Sequence, residues 1–223
     1  SFELRKGEIL GFSGLIGSGR SELMEAVAGL RPRLAGDVEI RGQSVPSGDI
    51  RAANAHGLAY MTKDRKGKGL LLGEGMTVNL TLQNLDRHLK TVYLDPKSET
   101  TAMERARRRF DIRVRDGNVV AGRMSGGNQQ KVLFARALAS RAPVVLMDDP
   151  MRGVDFGTKQ EVYAILRQEA DAGRTFVWYS TEMDEVCLCD RVYVFNNGSI
   201  VAELKGDEVT EENILSASFQ EAA

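Results

Sequence analysis

The chain has 223 residues, 42% of them hydrophobic and 27% charged, with a formal net charge of −1. This is ordinary globular composition, enough for one large domain or two modest ones. It excludes the global basic field of nucleic-acid binders, and no run approaches the roughly 18 apolar residues of a membrane-spanning helix. Basic clusters at "KDRKGKG" from Lys63 and "ERARRRF" from Glu104 read as a solvated loop and a charged helix face. Cys187 and Cys189 form a C-x-C pair with neither histidine close in sequence. They match no zinc pattern and read as small buried hydrophobes of a reducing compartment. "SFELRKGEIL" lacks a signal-peptide pattern and begins inside a strand-like run, so the chain is expected to be a domain excised from a longer polypeptide.

In chain order, "EILGFSG" (Glu8 to Gly14) is an apolar run ending in glycine and predicts a buried strand. "RSELMEAVAGL" predicts a helix with Leu23, Met24, Val27 and Leu30 on one face, closed by Gly29 and Pro32. "GDVEIRGQSV" alternates like an exposed strand, and "GLAYM" reads as a buried one. From Thr77 to Ala139 the pattern is helical, through "TVNLTLQNLDRHLK", "SETTAMERARRRF" and "GGNQQKVLFARALAS". After Pro143 come the strand "VVLMD", the helix "TKQEVYAILRQEADAG" and the strand "RTFVWYS". "RVYVFNNGSIVAEL" predicts a hairpin turning at Asn197-Gly198, and "EENILSASF" a closing helix. Alternating strands and helices around a helical insert imply an α/β core carrying a helical lobe.

Three stretches carry chemistry. "GLIGSGRS" satisfies the phosphate-loop pattern G-x-x-x-x-G-K-[ST] at Gly14, Gly19 and Ser21, with Arg20 standing where lysine is usual. Such a loop converges backbone N–H groups and a helix N-terminus on phosphate oxygens. Gly17 and Gly19 permit close approach, Arg20 would supply the cation, and Ser21 would offer its hydroxyl to Mg²⁺. A glycine turn with no ligand stays open as the alternative. "PVVLMDDP" delivers Asp148 and Asp149 from the end of a buried strand. In a nucleotide site Asp148 would hold Mg²⁺ through water and Asp149 would polarise the attacking water; otherwise they mark an acidic turn. "RMSGGNQQKV" places Ser125, Gly126 and Gly127 at a helix start, which is either a capped terminus or a second anion site.

Together these motifs resemble an ATP-binding cassette (ABC) domain, and the finer resemblance is to the second cassette of double-cassette ATPase subunits in bacterial sugar importers. That group is similar to "GEILGFSGLIGSGRSEL", "DRKGKGL", "MSGGNQQKV" and "MDDPMRGVDFGTK". The resemblance implies a P-loop NTPase core with an inserted helical lobe, roughly residues 77–140, and a small antiparallel β region, one nucleotide-binding domain over residues 1–223. It implies ATP and Mg²⁺ as cofactors. Gly14 to Ser21, including Gly17, Ser18, Gly19 and Arg20, correspond to the Walker A loop. Lys63 falls at the Q-loop position, and Ser125, Gly126, Gly127 and Asn128 at the signature. Asp148 corresponds to the Walker B metal residue, Asp149 to the catalytic glutamate, Asp155 to the D-loop aspartate and Thr181 to the switch histidine.

The implied partners are a second cassette, from the same chain or a homodimer mate, transmembrane permease subunits and, indirectly, an extracytoplasmic sugar-binding protein, at the cytoplasmic membrane face. Nucleic acid is not an expected partner. Within the resemblance, Arg20, Lys63, Asp149 and Thr181 depart from a fully competent cassette. Arginine replaces a compact ammonium with a planar fork. Asp149 retracts the carboxylate by about 1.5 Å, where a displacement of ~1 Å can cost ~10²-fold in rate. The expectation is a weakened site of its own and a sound signature for the partner's site. A regulatory nucleotide-binding module without turnover is the alternative.

Overall fold

A computed structural model describes residues 1–15 and 17–219. In chain order the elements are β1 (Ile9–Gly14), α1 (Arg20–Val27), β2 (Glu39–Ile40), β3 (Gln43–Ser44), α2 (Ile50–Ala55) and β4 (Leu58–Met61). There follow α3 (Met76–Thr81), β5 (Leu89–Lys90), β6 (Tyr93–Leu94), α4 (Pro96–Arg109) and α5 (Gly126–Ala139). The remainder is β7 (Val144–Asp148), α6 (Phe156–Asp171), β8 (Thr175–Tyr179), α7 (Met183–Val186), β9 (Arg191–Asn196), β10 (Ser199–Lys205) and α8 (Glu211–Ser218). The chain divides into two compact units, one of residues 1–60, 142–152 and 166–223, the other of residues 61–141 and 153–165.

In the first unit, the described residues form a six-stranded sheet in the order β10-β9-β1-β8-β7-β4. β1 pairs in parallel with both β8 and β9, β7 pairs in parallel with β8, and β10 returns antiparallel to β9. The apolar runs "EILGFSG", "VVLMD" and "TFVWY" are therefore strands covered on both faces, as parallel sheets require. Leu10, Phe12, Met24, Leu146 and Val177 share one buried core. Each large side chain so buried contributes about 1.5–3 kcal/mol. Asn197 and Gly198 both take positive φ, 46° and 78°, which is the turn an Asn-Gly hairpin demands.

Three local expectations for the first unit change in the structure. α1 stops at Val27, with Gly29 at φ 77°, so Leu30 lies beyond the helix and is half exposed rather than on its buried face. "GDVEIRGQSV" is not one strand but the tight pair β2–β3, because Arg41 and Gly42 both adopt positive φ and reverse the chain. Cys189 is buried, and burial pushes its thiol well above the ordinary range, while Cys187 is only half buried.

The second unit is largely helical. In α5, Gln129 through Leu138 are all buried, the mark of a helix enclosed on every side. Asp95 caps α4 by accepting from the Lys97 N–H, and Pro96 occupies the first turn, where its missing donor costs nothing. The helix expected over "TVNLTLQNLDRHLK" is divided: α3 gives way to a 3-10 segment at Leu82–His88, kinked at Asn84 (φ −143°, ψ 38°). The basic stretch at Arg65–Gly69 is a π-helical turn whose start is capped by the Asp64 carboxylate on the Gly67 N–H.

Candidate functional site

Three neighbouring strands of the first unit end together: β1 at Gly14, β7 at Asp148 and β8 at Tyr179. The carboxyl ends of strands in an open α/β sheet are where ligands bind. Gly14 has φ 132°, and a Cβ there would lie 2.0 Å from the Phe195 carbonyl oxygen, so only glycine fits as the loop leaves the sheet. Gly19 takes φ 87° as the cap of α1 and turns the chain into the helix. Ile16, within the loop, lies outside the described residues.

Inside the loop, the Ser18 N–H donates to the Leu15 carbonyl at 3.2 Å, and the Ser18 hydroxyl is buried without a protein partner. A buried hydroxyl left so costs free energy until a ligand or water meets it. Arg20 is 4% exposed; its guanidinium donates to the Leu15 carbonyl at 3.0 Å and stacks 4.3 Å over the Tyr179 ring. Burial lowers its pKa, against the raising influence of Tyr179, Asp149 and Asp148. The planar fork that distinguishes arginine from lysine is what allows the stack.

The Ser21 hydroxyl donates to Asp148 Oδ1 at 2.9 Å, and the Tyr60 phenol donates to Asp148 Oδ2 at 2.9 Å. Asp148 and Ser21 thus present two hard oxygen donors at one point. That suits Mg²⁺, which takes one or two carboxylates plus phosphate oxygens and waters rather than a protein cage. Among the described residues no three His, Cys, Asp or Glu side chains cluster to form such a cage.

Asp149 is buried and adopts φ 46°, the left-handed region, which Asp tolerates better than most residues. Its N–H donates to the Tyr179 carbonyl at 2.9 Å. Its carboxylate accepts the Thr181 N–H at 3.2 Å and the Thr181 hydroxyl, which lies 3.2 Å from both oxygens. A strained backbone is thereby fixed from two sides, with the carboxylate aimed by its partner.

The first unit therefore brings together Gly14, Gly17, Ser18, Gly19, Arg20, Ser21, Asp148, Asp149 and Thr181. Lys63, Ser125, Gly126, Gly127 and Asn128 belong to the second unit. There Ser125 caps α5 by accepting the Asn128 N–H at 3.3 Å. The Asn128 amide spans the Arg113 backbone, accepting its N–H at 2.9 Å and donating to its carbonyl at 3.2 Å. A Cβ on Gly127 would come within 3.2 Å of the Thr158 hydroxyl, so the helix start is packed closely. Asp155, just before α6, accepts the Thr158 N–H at 3.0 Å and its hydroxyl at 2.9 Å, and those bonds hold its carboxyl below the usual range. Lys63 is exposed, between β4 and the π-helical turn.

Sequence reasoning missed Tyr60 and Tyr179. A tyrosine within or ending a strand looks like core, and Tyr60 lies one residue before the end of β4, which neighbours the strand that ends in Asp148. A recess of about 2130 Å³ in the first unit runs along Phe2, Leu23, Val27, Ile40 and Ile200 and is lined by none of Gly14, Ser18, Arg20, Ser21, Asp148, Asp149 or Thr181. Its size does not mark the chemistry, which sits at the strand ends.

A model of the ABC transporter family matches residues 1–152, and the chain belongs to that family. It is 41% identical over 217 residues to "Ribose import ATP-binding protein RbsA 2" of Rhizobium etli, covering 96% of this chain and 43% of that one. It is 36% identical over 218 residues to "L-arabinose transport ATP-binding protein AraG" of Geobacillus stearothermophilus, covering 96% and 42%. The chain thus spans less than half the length of these curated relatives. Among solved structures, the ADP conformation of the ATP-binding cassette MJ1267 superposes with a TM-score of 0.80 at 21% identity, covering 99% of this chain and 91% of that one. The dimeric, post-hydrolysis cassette MJ0796 gives 0.79 at 20%, covering 92% and 88%. At that identity the likeness establishes the fold, that of an ATP-binding cassette. Among the described residues no helix is long and apolar enough to cross a membrane.

Proposed function

We propose that the chain is the second cassette of a two-cassette ATP-binding subunit in a bacterial sugar importer, peripheral at the cytoplasmic membrane face, and that it binds MgATP and couples it to uptake through a permease. The two units are read as core and helical lobe of this one cassette. The observation that carries the reading is the convergence on Asp148: Ser21, in the first turn of α1, donates to one oxygen, and Gly19 at φ 87° turns the chain into that helix. Backbone N–H groups and the helix dipole attract phosphate whatever stands at position 20. Ser21 and Asp148 would hold Mg²⁺, which supplies charge stabilisation on the phosphates. This chain's own residues then orient and position: Thr181 aims Asp149, and Arg20 keeps a buried cation beside both aspartates.

Three features support a weakened site. Asp149 carries a carboxylate one methylene shorter than glutamate, Thr181 offers no imidazole, and Arg20 is already engaged with Tyr179 and the Leu15 carbonyl. Ser125, Gly126 and Gly127 keep the small, capped helix start suited to a partner's nucleotide, so hydrolysis in the assembled transporter would occur mainly at the partner's site. In the assembled two-cassette subunit, Ser125→Arg is expected to abolish most ATPase activity and sugar uptake, and Asp149→Asn to leave much of both. Equal losses would reject the asymmetry and make Asp149 a working base. No turnover in any assembly, with nucleotide binding intact, would favour the regulatory module instead. Permease crosslinks are expected between Met61 and Leu80 rather than at the Asn197 turn.

A further inference from the structure

Resting on the reading of this site as one for a metal-bound nucleotide, we propose that Tyr60 is a positioning residue for the metal, its phenol fixing which Asp148 oxygen faces the ion. A carboxylate has two equivalent oxygens and turns about its Cβ–Cγ bond unless both are engaged. In this chain they are engaged by different partners: Ser21 Oγ on Oδ1 and Tyr60 Oη on Oδ2, each at 2.9 Å. The Ser21 hydroxyl has one proton and two lone pairs. It can therefore keep donating to Oδ1 while a lone pair turns to a cation, which places the cation on the Oδ1 side. Tyr60 holds the opposite oxygen and leaves Oδ1 as the oxygen turned toward the ion, directly or through a water.

The support is rigid at both ends. Asp148 is 1% exposed at the end of β7, and Tyr60 is half buried on β4, the adjacent strand of the same sheet. A group carried on a strand keeps its place more closely than one on a loop. Removing an outer hydrogen-bond partner of a metal-ligating carboxylate typically weakens metal affinity about 10–100-fold. A tyrosine that merely packed the strand end would have no reason to aim its oxygen at the one carboxylate that also holds Ser21.

The test reads ADP affinity of the protein by fluorescence, once with EDTA and once across a Mg²⁺ titration. Tyr60→Phe is expected to leave metal-free ADP affinity unchanged and to raise the Mg²⁺ needed for half of the metal effect by about 10-fold. An unchanged Mg²⁺ requirement, or equal weakening with and without metal, would overturn the proposal. A second measurement does not depend on that variant folding. 3-Fluorotyrosine introduced at position 60 keeps the phenol, and its ¹⁹F resonance should move when Mg²⁺ joins bound ADP but not when ADP binds in EDTA. A resonance that ignores the metal overturns the proposal as well. If the unaltered protein gains no ADP affinity from Mg²⁺, the metal-nucleotide reading itself fails, a result distinct from a gain that Tyr60→Phe retains in full.

Discussion

Asp155 and Thr158 are three residues apart and meet at the start of α6, while Asp149 and Thr181 are 32 apart and meet where two strands end. Both aspartates accept one N–H and one hydroxyl from their threonine. Asp155 does so while exposed, as the residue before a helix, satisfying a donor that any helix start leaves open. Asp149 does so while buried and at φ 46°, a backbone that costs on the order of 1–3 kcal/mol and serves no helix. The same pair of side chains is thus a local stabiliser in one place and a constrained carboxylate in the other. Local need explains the first; the second needs a reason beyond folding, and the adjacent phosphate loop supplies one.

The contrast can be broken most severely at the strained position. Asp149→Val puts a β-branched residue at positive φ and removes the carboxylate, and should destabilise the protein by about 2–3 kcal/mol in urea unfolding. A loss under about 0.5 kcal/mol would mean that the backbone there is not held by its partners. Thr181→Val, nearly isosteric, withdraws one donor from a buried carboxylate and should cost about 1–2 kcal/mol. Like Asp149→Asn, the same variant should leave much of the turnover of the assembled two-cassette subunit, and a loss as complete as that of Ser125→Arg would make the Thr181–Asp149 pair part of a working base.

The smallest effect belongs to the helix-cap pair. Asp155→Ala should lower Tm by about 2–4 °C and leave ADP affinity unchanged. Because the folded Asp155 carboxyl titrates below its unfolded value, its contribution is complete above about pH 4 and lost as pH falls through the folded value. The Tm gap between parent and variant should therefore be constant near neutrality and close in acid. A gap that widens in acid would reverse the assigned sign.

How far the sequence foretold these differences depends on whether the signal is periodic or spatial. The strands "EILGFSG", "VVLMD" and "TFVWY", the Asn-Gly hairpin and the glycine loop were legible because apolar runs and positive-φ turns are encoded in adjacent residues. The end of the helix at Thr81 was not, since it depends on Asn84 leaving helical angles inside a run that keeps helical spacing. Ser21 and Asp148 could be named from their motifs, 127 positions apart, because each motif carries its own chemistry. Tyr60 and Tyr179 could not, because only the sheet order brings one to Asp148 and only the stack brings the other to Arg20. Nor does any pattern announce that the Asn128 amide bonds the Arg113 backbone, 15 residues away.

The central claim is that the arginine-containing loop of the first unit is a working Mg-nucleotide site. Isothermal titration of the protein with MgADP tests it most directly, with Asp148→Ala as the matched variant. The account predicts saturable binding with Kd between micromolar and millimolar, about −8 to −4 kcal/mol, and binding at least 10-fold weaker in Asp148→Ala. Folded protein that releases no binding heat at millimolar nucleotide, or that binds equally well without the Asp148 carboxylate, would contradict it.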